Sequence, residues 1–76
     1  MISDKEIREV IAHTPKTVLA WAIDEYIHDE RNQEIARRKL IKNVKIEPLS
    51  EYYDLTPGQV KNILRKARRT IYEAIS

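Results

Sequence analysis

Residues 54–70, DLTPGQVKNILRKARRT, join a Pro-Gly pair to the most regular amphipathic pattern in the chain. Proline is tolerated at the first helical position because the N–H group that it lacks has no partner there. Thr56 and Gln59 have the spacing of a capping box, in which each side chain bonds the backbone amide of the other residue. The stretch therefore predicts a helix that begins at Pro57 and runs to about Ile75.

This helix separates into an apolar and a basic face. Its apolar residues fall within about 120° of arc, which predicts a continuous side against the core. They are Val60, Ile63, Leu64, Ala67, Ile71, Ala74 and Ile75. The opposite side carries no acidic residue, and consists of Gly58, Lys61, Asn62, Arg65, Arg68, Arg69 and Tyr72.

A short helix is predicted just before it, in KIEPLSEYYD (45–54), with Pro48 near its first turn. Ser50 is small enough for a second helix to cross there, and Asp54 tolerates the left-handed backbone that a tight turn needs. A short helix, a tight turn and a longer basic helix favour a helix-turn-helix at about residues 47–75. In that motif the second helix enters the major groove of DNA.

Residues 46–72 resemble a known family, the promoter minus-35 recognition domain (region 4) of bacterial sigma factors, and related small phage regulators. The resemblance implies DNA contacts from the early part of the second helix, at Thr56, Gln59, Lys61, Asn62 and Arg65. The matching positions are Ser50 for the small residue, Tyr53-Asp54-Leu55-Thr56 for the turn, Val60 and Ile63 for the core, and Lys66-Ala67, Arg69 and Ile71 for the tail.

The chain also departs from that family. Asp54 stands where the family usually has Gly, and Pro57-Gly58 replace two side chains that commonly contact DNA. Residues 1–45 do not align with the family's preceding helices. The resemblance therefore favours a phage-like transcriptional regulator of modest intrinsic specificity over a polymerase subunit.

Side-chain chemistry assigns each candidate DNA contact a role. Thr56 and the amides of Gly58 and Gln59 would hold a phosphate at the helix N-terminus. Gln59 and Asn62 suit adenine, and Lys61 and Arg65 suit guanine or the backbone. Phosphate contacts are expected from Arg68 and Arg69, and flanking backbone contacts from Arg38, Lys39, Lys42 and Lys45 of a preceding helix.

The remaining sequence predicts further helices and no strand. Helices are expected at 4–12, from a Thr14 cap to about Asp29, and at 32–44 with Ala36, Leu40, Ile41 and Val44 inward. A chain with one Gly, no Cys and 42% apolar residues is typical of helical packing without disulfides. We therefore expect an all-α bundle of four to five helices, with residues 1–76 forming one domain.

Trp21 lies on the wrong side of its helix for a simple one-faced packing. The helix has an inward stripe formed by Leu19, Ala22, Ile23, Tyr26 and Ile27. Trp21 projects about 160° away from it. Either the helix is covered on both sides, or Trp21 belongs to a self-association surface that would make a homodimer.

Charge is distributed unevenly along the chain. Residues 1–36 carry four basic and eight acidic side chains, whereas residues 37–76 carry ten basic and four acidic ones. This asymmetry indicates a polyanionic partner for the second half, with double-stranded DNA favoured. An interaction module that binds an acidic protein through the basic helix remains the alternative.

One recognition helix reads few base pairs, so a dimer or a partner such as RNA polymerase is expected.

Other functions are disfavoured by what the sequence contains. A chain this small disfavours an enzyme with a deep pocket, and no cofactor motif is present. His13 and His28 lack the neighbours of a metal site. No apolar run approaches a membrane span, and the acidic start MISDKEIREV differs from a signal peptide. We expect a cytoplasmic protein without membrane contact.

Overall fold

A computed structural model describes residues 2–76 and contains five α-helices and no strand in that range. The all-α prediction is confirmed. The helices are α1 (Asp4–Ala12), α2 (Lys16–Tyr26), α3 (Glu30–Leu40), α4 (Ile46–Tyr52) and α5 (Pro57–Ile75).

Helix α5 is the centre of the fold, because it packs against each of the other four helices. Its buried residues Val60, Leu64, Ala67 and Ile71 recur at helical spacing, as the apolar stripe predicted. The first core lies between α1, α2, α3 and the C-terminal half of α5. Its buried members are Ile7, Ile11, Leu19, Ala22, Ile23, Ile27, Ala36, Ala67 and Ile71.

A second, smaller core holds α4 against the N-terminal half of α5. It consists of Ile35, Leu49, Val60 and Leu64, all at most 1% exposed. Ile35 of α3 was not among the predicted inward residues, although it is fully buried. Through Ile35 the second core fixes α3 to the α4–α5 unit.

The connection between α4 and α5 is a tight, fully bonded turn. Asp54 has φ 54°, so the predicted left-handed residue is confirmed. The Leu55 N–H donates to the Ser50 carbonyl at 2.8 Å, and the Asp54 N–H donates to the Glu51 carbonyl at 3.3 Å. This pair of bonds is the Schellman motif, with Asp in the place usually taken by Gly. Ser50 is buried as expected, and its hydroxyl donates to the Glu47 carbonyl at 2.8 Å.

The predicted limits of α2 are wrong at both ends. Thr14 does not cap the helix, because its hydroxyl donates back to the Val10 carbonyl at 2.7 Å, and Pro15 is the N-cap instead. The helix ends at Tyr26, three residues early, since Asp29 caps α3 by accepting the Asn32 N–H at 3.0 Å. The Gln33 side chain also donates to the Ile27 carbonyl at 2.6 Å.

Helix α3 is shifted towards the N-terminus relative to the prediction of 32–44. It begins at Glu30 and ends at Leu40, because the chain turns at Asn43, whose φ is 57°. The Val44 N–H then donates to the Arg38 carbonyl at 2.8 Å. Leu40, Ile41 and Val44 are partly buried, and Ala36 is fully buried.

Two aromatic residues of α2 remain at the surface. Trp21 is 49% exposed and Tyr26 is 46% exposed, and their rings meet edge to face with centroids 5.6 Å apart. Tyr26 was wrongly predicted to face inward. The interpretation in which α2 is covered on both sides is likewise wrong at Trp21. The two rings form a partly apolar surface, which we call the Trp21–Tyr26 patch.

Candidate nucleic-acid interface

The start of α5 is held by the predicted capping box. The Thr56 N–H donates to Gln59 Oε1 at 2.9 Å, and the Gln59 N–H donates to Thr56 Oγ1 at 3.1 Å. The prediction of a free Gln59 amide is therefore wrong. Gln59 Oε1 is also occupied, so pairing with adenine would require the capping box to open.

Gly58 occupies the first turn of α5 in open surroundings. A Cβ atom placed on it would meet only Thr56 Oγ1, at 3.9 Å, which is ordinary van der Waals contact. Its φ is not positive, so the backbone does not require glycine. Neither packing nor conformation inside the molecule accounts for this residue. Its amide points to the N-terminal end of the helix, where the helix dipole favours an anion.

Polar side chains cover the outward face of α5 beyond this turn. Lys61, Asn62 and Arg65 are all exposed. Arg65 Nη2 donates to Asn62 Oδ1 at 2.8 Å, and this bond lies in solvent. Because an exposed hydrogen bond exchanges readily with water, both side chains remain accessible to another partner.

Two residues predicted for this face are engaged with the rest of the molecule. Arg69 Nη2 lies 3.1 Å from Asp4 Oδ1 of α1, in a partly exposed ion pair of small energetic weight. Tyr72 does not point away from the core as predicted, since it packs partly buried against the first core.

Arg68 is partly buried beside α1, whereas a fully outward position was predicted. Burial, and secondarily the positive charge of Arg8, lower the pKa of the Arg68 guanidinium. A guanidinium remains charged at neutral pH even so. Within residues 2–76, no carboxylate lies within 4.0 Å of Arg68.

Lys61, Arg65 and Arg68 border one groove between α1, α3, α5 and the start of α4, with a volume of about 330 Å³. We call it the basic groove. Its floor is apolar, with Ile7, Ile46 and Leu64, and its one acidic lining residue is Asp4. The cationic lining residues are Arg8, Lys39, Lys61, Arg65 and Arg68.

The cationic side chains of α3 and of the loop after it lie in different places on the surface. Lys39 alone of the four predicted backbone contacts lines the basic groove. Arg38 stacks on the rings of Tyr52 and Tyr53, at 4.9 and 6.0 Å from their centroids. Lys42 and Lys45 are exposed outside that groove. The neighbouring Arg37 forms an ion pair with Asp24 of α2.

Two cations of the site were missed from the sequence. Arg8 lines the basic groove, and Lys16 lines an adjoining groove together with Arg8, Lys39 and Arg68. Both lie in the first half of the chain, whose net charge is negative. A count of charges in each half of the chain does not reveal them, because the packing of α1 and the start of α2 beside α5 is a tertiary feature.

Residues 2–76 contain no cluster of three or more His, Cys, Asp or Glu side chains with the geometry of a metal site. In the same range, no helix is both long and apolar enough to cross a membrane. Comparison of the chain with known protein families, curated proteins and solved structures found no match.

Proposed function

We propose that the protein binds double-stranded DNA as a transcriptional regulator, with α4 and α5 acting as a helix-turn-helix and α5 as the major-groove helix. The observation that carries the proposal is the basic groove. Three separate helices contribute five cations to one side of α5, next to the exposed polar face of that helix. A cationic surface around an exposed helix is the electrostatic footprint of a DNA-binding protein.

In this proposal, the base edges are contacted by Asn62, Lys61 and Arg65. These side chains are exposed on the first half of α5, and the Asn62–Arg65 hydrogen bond is easily exchanged for bonds to base edges. Gln59 and Thr56 hold the helix start, so their direct contacts with DNA are secondary. Arg69 contributes mainly to phosphate attraction, after release from Asp4.

Helix α4 is a poor source of phosphate contacts. Helix α4 carries the exposed acidic residues Glu47 and Glu51, which would repel a phosphate backbone. This assignment differs from many helix-turn-helix proteins, in which the first helix crosses the backbone. Because a single helix reads few base pairs, a second copy or a partner such as RNA polymerase would supply further specificity. The Trp21–Tyr26 patch is the candidate surface for that contact.

A salt-titrated binding assay tests the proposal. A random duplex pool is incubated with the protein at low salt, bound sequences are selected, and their affinity is measured as the salt concentration rises. We expect the logarithm of the binding constant to fall linearly with the logarithm of the salt concentration, because each neutralised phosphate releases counterions. No retention of any duplex at low salt would refute DNA binding.

The second candidate function is a protein-interaction module that grips an acidic partner. Its specific support is the half-exposed Trp21–Tyr26 pair, since exposed aromatic clusters mark protein interfaces. An acidic polypeptide such as polyglutamate discriminates between the candidates. If the protein is an interaction module, polyglutamate should bind at least as tightly as the selected duplex. If it is a DNA-binding protein, the duplex should bind more tightly at the same concentration of negative charge.

Variants of α5 separate base readers from phosphate contacts. Asn62→Ala and Arg65→Ala should change the selected sequence, because each removes a group able to bond base edges. Arg69→Ala should weaken every duplex alike and flatten the salt dependence. Equal losses on all sequences from the three variants would contradict the assignment of base readers.

A further inference from the structure

Three cations converge at the junction of α1, α3 and α5, away from the start of α5. Arg8, Lys39 and Arg68 line the basic groove and also the adjoining groove that leads to Lys16. The two grooves therefore share one wall, which we call the junction. The junction lies outside the α4–α5 unit except for Arg68.

The positive charges of the junction lack internal neutralisation. Within the described chain, 2–76, the ion pairs are Arg37 with Asp24 and Arg69 with Asp4. Asp4 is the one acid of the basic groove, and it is already engaged by Arg69. Arg68 is partly buried, and Arg8 is near enough to lower its pKa further. Like charges brought together without an acid destabilise a protein unless an anion from outside relieves them.

The junction also lies at a suitable distance from the base-reading residues. Arg68 follows Lys61 by seven residues, which is about 10.5 Å along a helix. Seven residues are close to two full turns, so Lys61 and Arg68 lie on the same side of α5, and both line the basic groove. A DNA strand that follows the basic groove from Lys61 therefore reaches the junction.

We infer that a phosphodiester group of the DNA backbone binds at the junction, held by Arg8, Lys39 and Arg68. The inference rests on the proposed function and adds α1 to the DNA-binding surface. The contact is electrostatic, so it contributes affinity and register and carries no sequence preference. Lys16, which lines the adjoining groove, extends the cationic surface beyond the junction.

Arg8→Gln tests the inference, with Lys5→Gln on the same helix as its matched control. Lys5 is exposed and lines neither groove. Binding of a selected duplex is measured by fluorescence anisotropy over a range of salt. We expect Arg8→Gln to weaken binding and to reduce the salt slope by up to about 0.9, the value for complete loss of one phosphate contact. Lys5→Gln should retain the wild-type slope. Both variants should select the same DNA sequence as the wild-type protein.

Thermal unfolding separates this effect from loss of structure. Arg8→Gln should melt at or above the wild-type temperature, because it removes a charge that repels Arg68. Wild-type affinity and slope in Arg8→Gln would overturn the inference while leaving the proposed function intact. Failure of the wild-type protein to bind any duplex would instead overturn both.

Inorganic phosphate distinguishes a backbone phosphate from a free anion. At constant ionic strength, we expect inorganic phosphate to leave duplex binding unchanged, because a single free anion lacks the additional contacts of the duplex. If inorganic phosphate instead weakens duplex binding by wild type and by Lys5→Gln, which both keep the junction, but not by Arg8→Gln, the junction is a free-phosphate site and the inference is wrong.

Discussion

Gly58 is a residue whose identity the folded chain does not require. Its φ is not positive, and a Cβ atom would meet only Thr56 Oγ1 at 3.9 Å. Glycine nevertheless lowers helix stability relative to alanine by up to about 1 kcal/mol. A cost without an internal benefit is consistent with close approach of an external group at the helix N-terminus.

Gly58→Ala should therefore have opposite effects on stability and on binding. We expect the free energy of unfolding to rise by up to about 1 kcal/mol, measured by urea titration, while duplex affinity falls. Thr17→Ala is the matched control, because Thr17 holds the same first-turn position in α2. It should not weaken DNA binding. Unchanged or improved duplex affinity in Gly58→Ala would contradict a phosphate at this turn.

Tyr53 carries a buried hydroxyl group that has no hydrogen-bond partner within residues 2–76. Burial raises the pKa of this phenol above its ordinary value of 10.0, against a smaller opposing effect of Arg38. The folded state thus prefers the neutral phenol. Below pH 10 this preference does not lower the free energy of unfolding. That free energy falls as the pH rises from 10 through the folded pKa.

Removal of the hydroxyl in Tyr53→Phe should leave the protein at least as stable, with a gain of up to about 1 kcal/mol, because an unbonded buried polar group is lost. The advantage over wild type should grow above pH 10 in urea unfolding. Tyr52→Phe is the control, since Tyr52 is 67% exposed and should have little effect. A clear loss of stability in Tyr53→Phe would point to a hydrogen bond for this hydroxyl.

Among the elements, α5 was the most predictable from sequence. Its start, capping box and apolar stripe depend on contacts within a few residues, so the local pattern contains the information. The α2–α3 connection was misplaced because Gln33 bonds the Ile27 carbonyl and Asp29 caps α3. Those bonds compete with a continued α2, and the apolar spacing of α2 does not reveal them.

Helix α3 links the two cores, since Ile35 belongs to the second and Ala36 to the first. Ile35→Val should lower the free energy of unfolding by about 0.5–1.5 kcal/mol, as expected for loss of one methyl group from a tightly packed site. Ile41→Val, at the partly buried C-cap of the same helix, should cost less. Chemical denaturation of both variants provides the measurement, and equal losses would contradict the anchoring role of Ile35.

For the whole molecule, the sequence predicted part of the candidate site. Lys61, Asn62 and Arg65 were placed on the exposed side of α5, and they lie there. Arg8 and Lys16 were missed because they join the site only when α1 and the start of α2 pack beside α5. Arg38 was expected near the backbone, but the rings of Tyr52 and Tyr53 hold it elsewhere. Which side a surface cation faces depends on helix packing, which charge patterns do not determine.

The proposed function implies that DNA affinity depends on where the positive charges lie and not on their number. Two double variants, Lys61→Gln/Arg65→Gln and Lys5→Gln/Arg37→Gln, each lower the formal net charge from +2 to 0. The first pair removes cations of the basic groove, whereas the second pair lies outside it, with Arg37 bonded to Asp24.

The direct test measures duplex affinity against salt for wild type and both double variants. The proposed function predicts that Lys61→Gln/Arg65→Gln loses most of the affinity at every salt concentration, while Lys5→Gln/Arg37→Gln stays near wild type. Equal losses in the two double variants, or no duplex binding by the wild-type protein at low salt, would contradict it.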